Sequence, residues 1–429
     1  MTSVDLLVKP LEGLSGELRP QPSKFYTQLA ACLAALAEGK STLESPLNVR
    51  DTVSALKGVE ALGAEVRRTR DKWVIWGVGL NLKPKGVIDV KNSATSLAAL
   101  APLASLAARV TVLTGDAQLR ARRMVALLSA FRRLGLDIHS TKPDGSPPFV
   151  VFGGGLKGGK IEFHKSASLI HVPFLILPCP YAQKKVELCW SRALSSPQLE
   201  LTAELVKTAG VELRISRRKI VIPRQPYQPF EAQVPSELSS VAPFIVTALM
   251  TDSRLKIPLK ETSARDRVFL EAVKRFGAEI THTRKGFTVS GPQSLRGAKI
   301  DLSKAPELLP FLAVLASKAR GKSVLKGAKE ARFMKSDRIS AMAQELRRMG
   351  VRVAEQGDGL VIKGGAEFKP GQLNGHEDYA VVAALVAAGL LATGEVRIRN
   401  KAEALQTSYS RFVSRFRELG AEISYLRSS

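Results

Sequence analysis

Six stretches of the chain carry one pattern of apolar and polar positions. They read SALKGVEALGAEVRRTRDKWVIWG, LLSAFRRLGLDIHSTKPDGSPPFVVFG, ELVKTAGVELRISRRKIVIP, LEAVKRFGAEITHTRKGFTVSG, MAQELRRMGVRVAEQGDGLVIKG and FVSRFRELGAEISYLRS. Apolar residues at i, i+3, i+4 and i+7 predict an amphipathic helix with one buried stripe. A glycine follows where a helix end needs a left-handed residue: Gly63, Gly135, Gly210, Gly277, Gly350 and Gly420. Strict alternation after it, as in Ala278-Glu279-Ile280-Thr281, predicts a half-buried strand, then a turn and a second strand. The glycines are 67 to 75 residues apart, so the 429-residue chain reads as six near-equal units.

Each unit holds a second, more apolar helix, such as LAACLAALAEG, SLAALAPLASLAA, PFIVTALM, LLPFLAVLASKARG or YAVVAALVAAGLLATG. Helices apolar on nearly all sides belong in an interior. Most run into a short strand, so one unit is roughly β-α-β-α-β-β. No unit can bury two helices alone. The expected fold is therefore α/β, with units grouped three to a domain around side-by-side central helices and mixed sheets outside. The Pro-rich segment Pro223–Phe230, midway along, is the expected boundary, with a second near residues 13–20.

Composition narrows the class. Hydrophobic residues make up 45% and charged residues 24%, enough apolar content for a large core. No run of 18 uncharged apolar residues occurs, and Asp5 and Lys9 interrupt the N-terminus too early for a signal peptide; the expected setting is cytoplasmic, with no membrane segment. Cys32, Cys179 and Cys189 sit in apolar surroundings without a CxxC pair, and the five histidines are scattered. Neither a disulfide framework nor a metal site is expected.

Short motifs then appear in a fixed order: Pro22-Ser23-Lys24 before an apolar helix, Asp51-Thr52, Asn92-Ser-Ala-Thr95, Leu113-Thr-Gly-Asp116, Glu237-Leu-Ser239-Ser240 and Lys335-Ser-Asp337-Arg338. In order and spacing these resemble the enolpyruvyl transferases, and most closely the EPSP synthase (5-enolpyruvylshikimate-3-phosphate synthase) family, over essentially the whole chain. The resemblance implies an inside-out-barrel fold of six repeats in two three-unit domains, here 1–15 with 229–429, and 16–228. It implies that the domains close on shikimate-3-phosphate and phosphoenolpyruvate, and that the enolpyruvyl group passes to the 5-hydroxyl through a tetrahedral intermediate without metal or organic cofactor. On that basis Lys24 and Glu307 are the catalytic candidates. Thr27, Asn92, Thr95, Ser239, Ser240 and Arg338 are the candidate substrate contacts.

Several family side chains are replaced. Phe25 stands for a serine. Leu29, Ala98 and Gln406 stand for cations, and Gln118 aligns with a further arginine that Arg120 or Arg122 is near enough to replace. Ser168-Leu169-Ile170 lacks the glutamine of a phosphate-binding S-S-Q. Met334-Lys335 replaces Lys-Glu, and Gly375-His376-Glu377-Asp378 lacks the arginine of D-H-R. Charged hydrogen bonds contribute roughly 1.5–3 kcal/mol each. Four lost cations therefore amount to something on the order of 6–12 kcal/mol, against about 4 kcal/mol for a thousandfold rate defect.

The chain is also strongly basic, with 64 Lys+Arg against 39 Asp+Glu, a net +25; residues 251–350 alone hold 22 against 10. Clusters occur at Arg67-Arg68-Thr-Arg70, Arg120-Ala-Arg122-Arg123, Arg284-Lys285 and Lys318-Ala-Arg320-Gly-Lys322. Any single cluster reads as solvated surface charge. Loss of cations from the expected cleft together with gain on the surface favours a polyanion partner, RNA, ribosome or DNA, for a chain whose transferase site has decayed. The alternative is a divergent but working EPSP synthase.

Overall fold

The computed structural model describes residues 4–164, 168–194, 196–399, 404–405, 408–409 and 411–427; Gln406 lies outside them. The six repeat glycines all have φ between 82° and 112°, the left-handed geometry expected at a helix end. Gly63, for example, links the helix Arg50–Ala61 to the strand Glu65–Arg68, which pairs antiparallel with Lys72–Gly77 through Val66↔Ile75.

Six four-stranded sheets result, and every one has the same order: a parallel pair, then two antiparallel neighbours. Glu231–Gln233 lies parallel to Gly39–Glu44, which pairs antiparallel with Lys72–Gly77. In the last sheet Gly371–Asn374 lies parallel to Val396–Arg399, and the N-terminal strand Val4–Val8 sits between that strand and Ile423–Arg427.

The chain divides into two units, residues 1–21 with 236–429 and residues 22–235. The crossings fall six residues later than the early loop, and seven later than the Pro-rich segment, led us to expect. Strand pairing explains the difference. Ser15–Glu17 lies parallel to Arg254–Ile257, which ties the early loop to the larger unit. Glu231–Gln233, beyond the prolines, still pairs with Gly39–Glu44 of the smaller one.

Each unit has its own apolar core. In the larger unit Ala242–Ala248, Leu309–Lys318 and Tyr379–Leu390 pack on one another. In the smaller, Lys24–Leu36 and Val172–Ile176 pack on Ala94–Leu106. Tyr379–Leu390 is buried at every position but Tyr379, as its all-round apolar sequence requires. Sheets cover these helices, so their N-terminal ends are where polar chemistry can reach the interior. Lys24, Thr95, Glu307 and Asp378 all fall there.

Candidate active site

In the unit 22–235 the site is built on two helix starts. Ser23 caps the helix Lys24–Leu36, its hydroxyl accepting from Tyr26 N at 3.1 Å. Lys24 is thereby fixed in the first turn, and its Nζ donates to Asp51 Oδ2 at 3.0 Å. Asp51 opens the next helix and is nearly buried. Gln28, one turn on, joins the two motifs: its amide nitrogen donates to Asp51 O at 3.0 Å and to Ser93 and Ser96 Oγ at 2.8 Å.

The sequence-predicted contacts here differ in availability. Asn92 Oδ1 accepts from Arg122 Nη2 at 3.2 Å, and its amide nitrogen donates to Gln118 Oε1. Arg122 thus supplies a cation beside Asn92, where the aligned residue is the neutral Gln118. The Thr95 hydroxyl is half-buried and bonds no group among the described residues. Thr27 is fully buried; its hydroxyl donates to Ser23 O at 2.8 Å and accepts from Leu47 N at 3.2 Å, so it braces the helix start.

The replaced positions have become packing. Leu29 and Ala98 are core residues, at 1% and 3% exposure. Phe25 sets its ring edge-on against Phe174, centroids 6.2 Å apart. Ser168-Leu169-Ile170 leads into His171, whose buried imidazole is pushed down to about 4. It is neutral at pH 7 and does not replace a lost positive contact.

In the unit 1–21 with 236–429, three acids and two arginines form two ion-paired groups, Arg265 with Glu237 and Glu307, and Arg338 with Asp378. Ser263 and Asp266 make a capping box at the start of the helix Ala264–Arg275. That box fixes Arg265, a residue the sequence reading missed. Its Nε donates to Glu307 Oε1 at 2.6 Å and its Nη1 to Glu237 Oε2 at 3.1 Å. Burial opposes the charge on Arg265, but the two carboxylates more than offset this and raise its pKa. Asp266 also accepts from Ser239 N at 2.9 Å, and Ser240 Oγ accepts from Gln21 N at 2.9 Å, so both serines are held through their loop.

Arg338 is 2% exposed and grips Asp378 with two bonds, Nε to Oδ2 at 2.7 Å and Nη2 to Oδ1 at 2.9 Å. Asp378 caps the helix Tyr379–Leu390 through Ala380 N at 2.9 Å and accepts from Ser336 Oγ at 3.1 Å. Burial alone raises the Asp378 pKa; the Arg338 charge and hydrogen bonds overcome it and hold the carboxyl below the usual range. Arg338 also bonds Tyr379, and Lys335 Nζ lies 5.6 Å from the same ring. Where D-H-R has a cation, this chain therefore has the counter-ion of Arg338.

The basic clusters do not share one role. Arg120 donates to Gly115 O at 2.6 Å and Arg122 belongs to the Asn92 group. Arg67, Arg68 and Arg70 are exposed at the end of one sheet, with Arg67 over Trp76 at 5.8 Å. Arg123 is exposed, and Arg284 and Lys285 form a hairpin turn. Lys318 lies half-buried 5.3 Å from the Phe368 centroid. Among the described residues no three His, Cys, Asp or Glu side chains gather as a metal site, and no helix is long and apolar enough to cross a membrane.

Six like sheets around apolar helices, with charged groups at the helix starts, define an enolpyruvyl-transferase fold. Solved structures agree: EPSP synthase from Acinetobacter baumannii superposes with a TM-score of 0.80 at 24% identity, covering 99% of this chain and 100% of that one. The enolpyruvyl transferase NikO from Streptomyces tendae gives 0.79 at 18% identity, covering 100% of both. Within this fold class, the EPSP synthase (3-phosphoshikimate 1-carboxyvinyltransferase) family profile matches residues 8–416. A 3-phosphoshikimate 1-carboxyvinyltransferase from Methanococcus vannielii is 31% identical over 98% of this chain and all of its own length. One from Methanococcoides burtonii is 36% identical, covering 96% of this chain and 97% of its own. The chain belongs to the EPSP synthase family.

Proposed function

We propose that the protein is a divergent EPSP synthase, moving the enolpyruvyl group of phosphoenolpyruvate to the 5-hydroxyl of shikimate-3-phosphate. The observation that carries this reading is its relation, at 31–36% identity along nearly the whole chain, to proteins named for that reaction. Lys24, Asn92, Thr95 and Arg338 are retained. Both substrates are multiply charged anions, so the site must supply positive charge that does not have to reorganise. Lys24 and Arg338 are assigned to phosphoenolpyruvate. Thr95, Ser239 and Ser240, with the Asn92–Arg122 pair, are assigned to the ring and its phosphate. Thr27 serves by holding the Lys24 turn.

Glu307 is assigned the proton transfer. As the 5-hydroxyl oxygen bonds to the central carbon of phosphoenolpyruvate, Glu307 takes the O–H proton and passes a proton to the methylene carbon, which becomes a methyl group. Loss of phosphate and of that proton then restores the double bond. Arg265, bound to Glu307 at 2.6 Å, holds the carboxylate in place.

The polyanion-binding reading is not adopted. Arg120, Arg122 and Lys318 are engaged within their own units, and the relatives carry the name of an enzyme. The deciding test is phosphate release from shikimate-3-phosphate and phosphoenolpyruvate, with the product identified by mass. Release that needs both substrates is expected. A folded protein that releases none, and binds neither substrate at millimolar concentration by calorimetry, overturns the proposal.

A further inference from the structure

We propose that the sheet containing Lys322–Lys326 carries a second anion site, separate from the transferase groups, which takes a linear oligophosphate. Lys322 pairs with Lys363, and Lys363 with Arg352, so three cations stand side by side across three strands. Neighbouring strands are about 4.8 Å apart, so the row spans roughly 10 Å. Like charges placed directly opposite one another oppose sheet formation. Yet the row is unrelieved: all three side chains are exposed and none lies in a salt bridge among the described residues.

The row forms one wall of a cleft of about 780 Å³. Arg347 adds a fourth cation, fixed by Nε donating to Val353 O at 2.9 Å. Ala354 and Val361, on the same face of the sheet as the row, supply apolar floor, and no acidic side chain lines the cleft among the described residues. Gly364 closes one end through its N bonded to Gly321 O at 2.8 Å; a Cβ at Gly364 would lie 1.8 Å from Ala319 O, so this close approach requires glycine. The cleft is remote from Glu307. It follows the C-terminal end of the helix Leu309–Lys318, whereas Glu307 precedes its N-terminal end. Ten residues of helix separate the two by about 15 Å.

Charge and length identify the ligand class. Two lysines act as point charges and two guanidiniums as flat two-donor forks, the usual partners of phosphate oxygens. A row of roughly 10 Å matches a short phosphate chain. No aromatic ring lines the cleft for a base to stack on, whereas single-stranded nucleic acid sites use such platforms. The ligand is therefore an oligophosphate, free or carried by a small organic group that would rest on Ala354 and Val361.

Calorimetric titration of the full chain with inorganic triphosphate at 150 mM salt, beside ATP and a single-stranded RNA 20-mer, tests this. One site per chain is expected, with affinity falling at least tenfold in Lys363→Gln. An R217Q/R218Q variant, changing an exposed basic pair on another sheet, should stay within twofold. Equal binding of triphosphate and ATP places recognition in the phosphate chain; tighter ATP adds the organic group on Ala354 and Val361. Without ligand, Lys363→Gln should melt no lower than the parent, because the middle of three like charges has gone. The proposal fails if triphosphate does not saturate below 1 mM, if Lys363→Gln binds unchanged, if the R217Q/R218Q control weakens equally, or if RNA binds more than tenfold tighter than triphosphate.

Discussion

The two units have met the same departures from the family pattern in opposite ways. In residues 22–235 the lost cations were absorbed by packing: Leu29 and Ala98 are core and Phe25 packs on Phe174. What remains is a sparse set, Lys24 on Asp51 and Arg122 on Asn92. In residues 1–21 with 236–429 the remaining charge is paired internally. Arg265 bridges Glu237 and Glu307, and Arg338 holds Asp378. An arginine already held by its own carboxylate is less free to take up a substrate anion than one left open, and removing one partner of such a pair is strongly destabilising. The smaller unit should therefore be sensitive in rate, and the larger one in stability.

Lys24→Met gives the largest effect. Lys24 is the only retained cation of the first motif, and its side chain is a quarter exposed beside Asp51. We expect kcat/KM to fall at least a thousandfold, about 4 kcal/mol of transition-state stabilisation. Removing the Lys24 ammonium from the Asp51 carboxylate destabilises the unit by about 1–3 kcal/mol. That lowers Tm but leaves the protein folded at 25 °C, so the rate loss is separable. A loss below tenfold would move the anion site away from this helix start.

Asp378→Asn tests the other unit. Removing one partner of a buried ion pair costs about 3 kcal/mol, seen as a lower denaturation midpoint with unchanged slope. The pH dependence follows from the direction of the shift. Asp378 has a folded pKa below its unfolded value, so its contribution is complete above about pH 4 and is lost as pH falls through the folded value. The gap between parent and Asp378→Asn should be constant from pH 5 to 8 and shrink below pH 4. A gap that widens on acidification would show that the carboxyl is not held ionised by Arg338.

The repeat architecture was legible because it rests on local signals: apolar periodicity, the six glycines and alternating strands. The crossings between units were less so, because Ser15–Glu17 and Glu231–Gln233 are three-residue strands whose partners lie far away in sequence. Lys24, Asn92 and Arg338 stood out as candidates because each sits in a short motif beside a helix start. Arg265 could not: it is one of several arginines on an ordinary amphipathic helix, and only the fold brings it to Glu237 and Glu307. The same limit hid the role of Asp378. A motif that has lost its arginine reads as decay until the carboxylate is seen gripping Arg338. The basic clusters read alike in sequence, yet Arg122 and Lys318 are engaged while Lys322 faces an open cleft.

The smallest expected effect is the most informative about the smaller unit. Phe25→Ser restores the hydroxyl that the family carries beside the lysine. It removes one edge-on ring pair, about 0.5–1.5 kcal/mol. For a unit of this size that lowers Tm by roughly 2–4 °C per kcal/mol. Phe25 directly follows Lys24 in the first helical turn, where backbone N–H groups and the helix dipole favour an anion. If a substrate phosphate or carboxylate approaches this turn, a small hydroxyl should both make room and donate. KM should then fall several-fold while kcat changes little. If KM is unchanged and only Tm falls, Phe25 is packing alone, and the first turn of this helix serves the anions through Lys24.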